Sequence, residues 1–127
     1  MAQQRVAVVT GGAQGIGKAI CDAFSRQGVA VCTIDLQDND YFVGDIADAK
    51  VLETFASRVI SDYGAIDYLV NNACLSRGGL DTCSYEDFNY VMRVGVSAPF
   101  LLTRLFQNHL NAPASIVNIS STRQRMS

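Results

Sequence analysis

The chain has 127 residues, 49% of them hydrophobic and 17% charged, with a formal net charge of −2. This suits a single α/β domain with a real core, and the absence of any Lys or Arg run gives no footprint for nucleic acid or an anionic membrane surface. No apolar run approaches the ~20 residues of a membrane span, and Met1-Ala2-Gln3-Gln4-Arg5 passes straight into apolar sequence, so no signal peptide is expected and a cytoplasmic location is.

Val6-Ala7-Val8-Val9 predicts a buried strand, and Ile16, Ala19, Ile20, Ala23 and Phe24 then recur at helical spacing. Between them lies Thr10-Gly11-Gly12-Ala13-Gln14-Gly15-Ile16-Gly17. A glycine turn between strand and helix aims several main-chain N–H groups at one spot, at the positive end of the helix dipole, where a phosphate fits without a Cβ in its way. The demand for small residues falls on Gly11, Gly15 and Gly17. Gln27-Gly28 predicts a helix stop and residues 29–34 a second, near-continuous apolar strand. Asp35 ends it, 18 residues after Gly17. That is close to the ~20-residue spacing at which a carboxylate in a dinucleotide fold accepts hydrogen bonds from ribose hydroxyls, and a carboxylate there repels a 2′-phosphate.

After the polar turn at residues 37–40, residues 41–43 predict a short third strand, followed by Gly44-Asp45-Ile46. Val51, Leu52, Phe55, Val59 and Tyr63 mark an amphipathic helix over 47–63, closed by Gly64. Residues 66–70 form a fourth strand that runs into Asn71-Asn72-Ala73-Cys74. Strands separated by helices of this length imply parallel pairing through right-handed crossovers. Residues 76–83 read as a loop, and Ser84 as an N-cap with an acid three residues on. The pattern Phe88, Val91, Met92, Leu101, Leu102, Leu105 predicts one long helix to about Leu110, bent where Gly95 and Pro99 interrupt it. Asn111-Ala112-Pro113 is expected to end that helix, residues 115–121 to form the fifth strand, and residues 122–127 to be a polar tail.

Four cysteines, Cys21, Cys32, Cys74 and Cys83, occur without a C-x-x-C pair, and His109 is the sole histidine. No metal site is expected from such spacing, and the thiols read as reduced and structural.

Four motifs in register, Thr10 to Gly17, Asp45-Ile46, Asn71-Asn72-Ala73 and Ser120-Ser121, resemble those of the short-chain dehydrogenases/reductases. The resemblance spans the whole chain but covers only about half of the family pattern. It implies a Rossmann-type, doubly wound parallel sheet of strand order 3-2-1-4-5, incomplete at its C-terminal edge. It also implies an oxidoreductase that moves hydride between a nicotinamide cofactor and a carbonyl or alcohol substrate, with NAD preferred over NADP because of Asp35. On this resemblance Gly11, Gln14, Gly15, Ile16 and Gly17 wrap the pyrophosphate and adenosine ribose, and Asp35 and Leu36 take the ribose and adenine edge. Asp45 and Ile46 stand beside the adenine amino group, Asn71, Ala73 and Cys74 lie on the nicotinamide side, and Ser121 hydrogen-bonds the substrate oxygen. A homo-oligomer, dimer or tetramer, is the family expectation.

Three departures stand out. Cys74 replaces the family glycine after Asn-Asn-Ala, and Gly95 replaces the helix asparagine that holds a water in the proton relay. No tyrosine is followed four residues later by lysine, so the family's Tyr-x-x-x-Lys pair is not among these residues. The apolar fifth strand is expected to stand as an uncovered edge. The expectation is therefore the N-terminal cofactor-binding part of a longer enzyme, catalytically silent by itself. A truncated, non-catalytic NAD-binding regulatory module and a Rossmann-type domain for another adenosine ligand, such as that of a methyltransferase, are the alternatives.

Overall fold

A computed structural model describes residues 4–121; the polar tail at 122–127 lies outside them. Five strands form one parallel sheet in the order β3-β2-β1-β4-β5. They are β1 (Val6–Thr10), β2 (Ala30–Asp35), β3 (Phe42–Val43), β4 (Ile66–Asn71) and β5 (Leu110–Asn118). Helices α1 (Gly15–Arg26), α2 (Ala49–Tyr63), α3 (Tyr85–Met92) and α4 (Ala98–Phe106) make the crossovers. This is the doubly wound α/β architecture expected from the alternation of apolar runs and amphipathic stretches.

β1 is buried along its whole length because helices cover both faces of the sheet. Val6 and Val8 point into the larger core with Cys32, Phe55, Leu69, Leu102 and Phe106, beneath α2 and α4. Val9 points the other way, against Cys21, Val70 and the α1 side chains Ile20 and Phe24. Local chemistry sets the helix ends. The Asp48 carboxylate accepts the Lys50 N–H at the start of α2, Gly64 closes that helix at φ +82°, and Ser84 Oγ accepts the Asp87 N–H at the start of α3.

One expectation is refined and one is corrected. The bend in the long helix is a π turn, Arg93–Ser97, in which the Ala98 N–H donates to the Arg93 carbonyl five residues back. Pro99, in the first turn of α4, has no N–H to give the Gly95 carbonyl, so the ladder changes register there. Second, the helix ends at Phe106 and β5 begins already at Leu110. Pro113 lies inside the strand rather than before it, which an edge strand tolerates because a missing N–H there leaves no partner unpaired. The pairing runs Ile66 with Leu110 and then Tyr68 with Ser115, so β5 carries extra residues over this stretch. At its far end β5 stops at Asn118; Ile119 still donates its N–H to the Asn71 carbonyl at 3.0 Å, and Ser120 and Ser121 lie beyond. Ile116, Val117 and Ile119 are 40–46% exposed along this edge, as the uncovered-strand reading expected.

Candidate functional site

The order β3-β2-β1-β4-β5 reverses direction between β1 and β4, and an open α/β sheet offers its ligand crevice outside the carboxyl ends of the strands at that point. The glycine turn occupies it. Gly11 bends away from β1 at φ +69°, its N–H bonded to the Ile34 carbonyl at 2.9 Å. The Gly12 N–H is held by Thr33 Oγ1 at 3.1 Å, and that hydroxyl donates on to the Val9 carbonyl at 2.8 Å. Gly15 opens α1 at φ +60°, and a Cβ there would meet nothing within 4 Å, which leaves the helix N-terminus bare toward the crevice. Gly17 answers a different demand, because a Cβ there would overlap the Gly11 carbonyl oxygen and crowd the Asn72 amide.

The ends of β1 and β4 are tied together beneath this turn. Thr10 Oγ1 accepts the N–H groups of Asn72 and Ala73, each at 3.0 Å, and Asn72 Nδ2 donates to the Gly11 carbonyl at 3.1 Å. Asp35, at the end of β2, has both carboxylate oxygens anchored. Oδ2 accepts the Ala13 N–H at 3.0 Å and Oδ1 the Gln37 N–H at 2.9 Å.

These elements enclose a cavity of about 330 Å³. Gly11, Gln14, Gly15 and Ile16 line it from the turn, Asp35 and Leu36 from the end of β2, and Asp45 and Ile46 from beyond β3. Ala73 and Cys74 complete the wall after β4. The structure thus brings ten of the expected cofactor contacts to one place. It also adds residues that sequence reasoning passed over. Asn72, rather than Asn71, stands on the wall, while Asn71 lies on the side of the sheet facing α4, where Nδ2 donates to Asn118 Oδ1 at 2.9 Å. Tyr90 and Val94, one helical turn apart, line the cavity from α3 and the π turn. Tyr90 donates its hydroxyl to Asp45 Oδ2 at 2.8 Å, and this bond to a carboxylate pushes the phenol pKa above its ordinary value.

Among the described residues no Lys or Arg lines the cavity, and the acidic side chains on its wall are those of Asp35 and Asp45. Gly95 lies in the π turn with open space around it, and Ser121 is exposed past the end of β5; neither lines the cavity. All four cysteines are free, with Cys74 exposed at the cavity wall, and the described residues hold no cluster fit for a metal ion. Nor does any helix among them have the length and apolarity to cross a membrane.

A parallel sheet with a bare helix N-terminus, an acid at the end of β2 and a second acid beyond β3 is a Rossmann-type fold, and the residues present fit a dinucleotide. The chain belongs to the short-chain dehydrogenase family, whose model matches residues 5–127. It is 33% identical to the (2S)-[(R)-hydroxy(phenyl)methyl]succinyl-CoA dehydrogenase subunit BbsD of Thauera aromatica, covering 94% of this chain and 56% of that protein. Among solved structures it superposes on an apo SCOR enzyme from Clostridium thermocellum with a TM-score of 0.89 and 38% identity, over 99% of this chain and 57% of that one. It also matches a metagenomic short-chain oxidoreductase in complex with NADP, at 29% identity and a TM-score of 0.85, over 94% and 62% of the two chains. The chain therefore spans little more than half the length of these relatives.

Proposed function

We propose that these residues are the cofactor-binding part of an NAD-dependent oxidoreductase that moves hydride between the nicotinamide and a carbonyl or alcohol carbon of a small molecule. The observation that carries the choice of NAD is the anchored carboxylate of Asp35. With both oxygens tied to main-chain N–H groups, its charge stays at the rim of a cavity that no Lys or Arg among the described residues lines. A 2′-phosphate placed there meets uncompensated negative charge, whereas ribose hydroxyls find open lone pairs. Supporting roles follow from position. Gly11, Gly15 and Gly17 with Gln14 and Ile16 hold the pyrophosphate, Leu36 and Ile46 flank the adenosine, and Asn72, Ala73 and Cys74 face the nicotinamide half.

When bound, the cofactor gives or takes the hydride. Ser121 donates its hydroxyl to the substrate oxygen as negative charge builds on it. The Gly95 carbonyl, in the π turn, is the site for a relay water in place of the family asparagine. A tyrosine and lysine outside residues 1–127 carry the proton, so these residues alone bind NAD without turnover. The exposed apolar stripe of Tyr85, Phe88, Met92, Val96 and Phe100 along α3, the π turn and α4 supports a homo-oligomer, dimer or tetramer. Four free thiols support a reducing, cytoplasmic setting.

Titration with NADH and NADPH tests the reading. NADH is expected to bind about tenfold or more tightly than NADPH, and Asp35→Ala to erase most of that ratio. Equal or tighter binding of NADPH by the unaltered chain refutes the NAD assignment, and turnover by residues 1–127 refutes the division of labour.

A further inference from the structure

We propose that the Tyr90 hydroxyl is a positioning group that sets the Asp45 carboxylate for the amino group of adenine, so that the cavity selects an adenine dinucleotide over its deaminated counterpart. The proposal rests on reading the cavity as a dinucleotide site, and it assigns a role to a side chain on a different element from those that hold the cofactor.

Asp45 lies just past the two-residue strand β3, in a segment with little ladder bonding to fix it. One oxygen, Oδ1, accepts the Ala47 N–H at 2.9 Å. A single anchor leaves a carboxylate free to turn about its own Cβ–Cγ bond. The second anchor comes from α3, where the Tyr90 hydroxyl reaches Oδ2 at 2.8 Å across a sequence separation of 45 residues. Two donors on two oxygens fix the plane of the carboxylate and still leave each oxygen a lone pair for a further donor. The next main-chain N–H, that of Ile46, has no hydrogen-bond partner among the described residues. An acceptor and a donor thus stand side by side on the cavity wall. Adenine presents the complement, an amino donor next to the N1 acceptor. Hypoxanthine presents the reverse, a carbonyl oxygen next to an N–H.

Tyr90 is itself held in place. The guanidinium of Arg77 lies 5.3 Å, and that of Arg93 5.8 Å, from the centre of its ring. Removal of the hydroxyl alone should therefore leave the ring where it is and release only the carboxylate.

The test is fluorescence titration of the whole chain with NADH and with reduced nicotinamide hypoxanthine dinucleotide, for the unaltered protein and Tyr90→Phe. The unaltered chain is expected to prefer NADH. Tyr90→Phe is expected to weaken NADH by about three- to tenfold and to change the hypoxanthine ligand by less than about twofold, with the melting temperature retained. An unchanged adenine preference in Tyr90→Phe, or an equal loss for both ligands, overturns the positioning role. Should Tyr90→Phe unfold, Asp45→Asn supplies the second arm. It is expected to remove the adenine preference while the hypoxanthine ligand still binds, and retention of the preference overturns the proposal. Failure of the unaltered chain to bind NADH at all refutes the dinucleotide reading itself, and the Tyr90 proposal falls with it.

Discussion

Gly17 and Gly95 are both helical glycines, and the space around them assigns them opposite roles. A Cβ at Gly17 meets the Gly11 carbonyl oxygen and the Asn72 amide, two groups that hold the turn closed. Gly17→Ala should therefore cost about 1–3 kcal/mol of stability through overpacking and weaken nucleotide binding with it. At Gly95 a Cβ meets nothing within 4 Å and φ is not positive, so Gly95→Ala should raise stability by about 0.5–1 kcal/mol through reduced freedom of the unfolded chain. Urea midpoints of the two variants against the unaltered chain are expected to move in opposite directions; movement in the same direction would contradict this assignment. The Gly17 demand was legible in the sequence because it is local, a helix start packing on the turn before it. Asn72 and Tyr90 were not, because their partners lie 62 and 45 residues away and no periodicity records such a bond. The family pattern pointed to Asn71 and gave Asn72 no role; only the pleat, which turns successive side chains to opposite faces, separates the one bonded to Asn118 from the one on the wall.

At the scale of elements, strands β1, β2 and β4 and helices α1 and α2 could be read from apolar runs and caps because each run is bounded by glycine or a polar turn. The α4–β5 boundary could not. Leu101, Leu102, Leu105 and Leu110 continue one helical pattern, and Leu110 packs on the same core from a strand as it would from a helix. Pro113 read as a stop because the edge position that tolerates it is a property of the sheet, not of its neighbours in sequence. The start of α3 was legible, and it carries a prediction. Ser84 Oγ accepts the Asp87 N–H at 3.0 Å, with Glu86 and Asp87 adding negative charge in the first turn. Ser84→Ala should lower stability by about 1 kcal/mol, and Ser84→Asp should restore most of it. Because α3 carries Tyr90, the loss at Ser84→Ala should be accompanied by weaker NADH binding. Thermal melts with and without NADH report both effects, and an unchanged melting temperature for Ser84→Ala would show that the cap bond does not support the helix.

At the scale of the whole molecule, the middle of the sheet is covered on both faces, and the ionisable groups in and around it favour their neutral forms. Cys32 is 0% exposed in β2, and burial is the main cause that pushes its thiol from 9.0 to about 11; the nearby Asp62 charge adds to this, while the Tyr41 hydroxyl and Arg58 oppose it. Burial and its bond to Asp62 likewise push the Tyr41 phenol up, and burial raises Cys21 on the opposite face of the sheet. In each case the folded protein favours the protonated form more than the unfolded chain does. Their contribution to stability is therefore fully present below pH 9 and is lost as the pH rises toward 11 for Cys32. For Cys32 alone the loss by pH 11 should be on the order of 2 kcal/mol. Cys32→Val keeps a side chain of similar volume in the same apolar setting, so it should be close to neutral at pH 7. Urea unfolding between pH 7 and 11 is expected to show a shallower alkaline decline in Cys32→Val than in the unaltered chain, with the residual slope carried by Tyr41 and Cys21. Parallel declines in the two proteins would mean that the thiol in the middle of the sheet ionises as readily folded as unfolded, which a side chain buried in the same core cluster as Val8, Phe55 and Leu69 should not do.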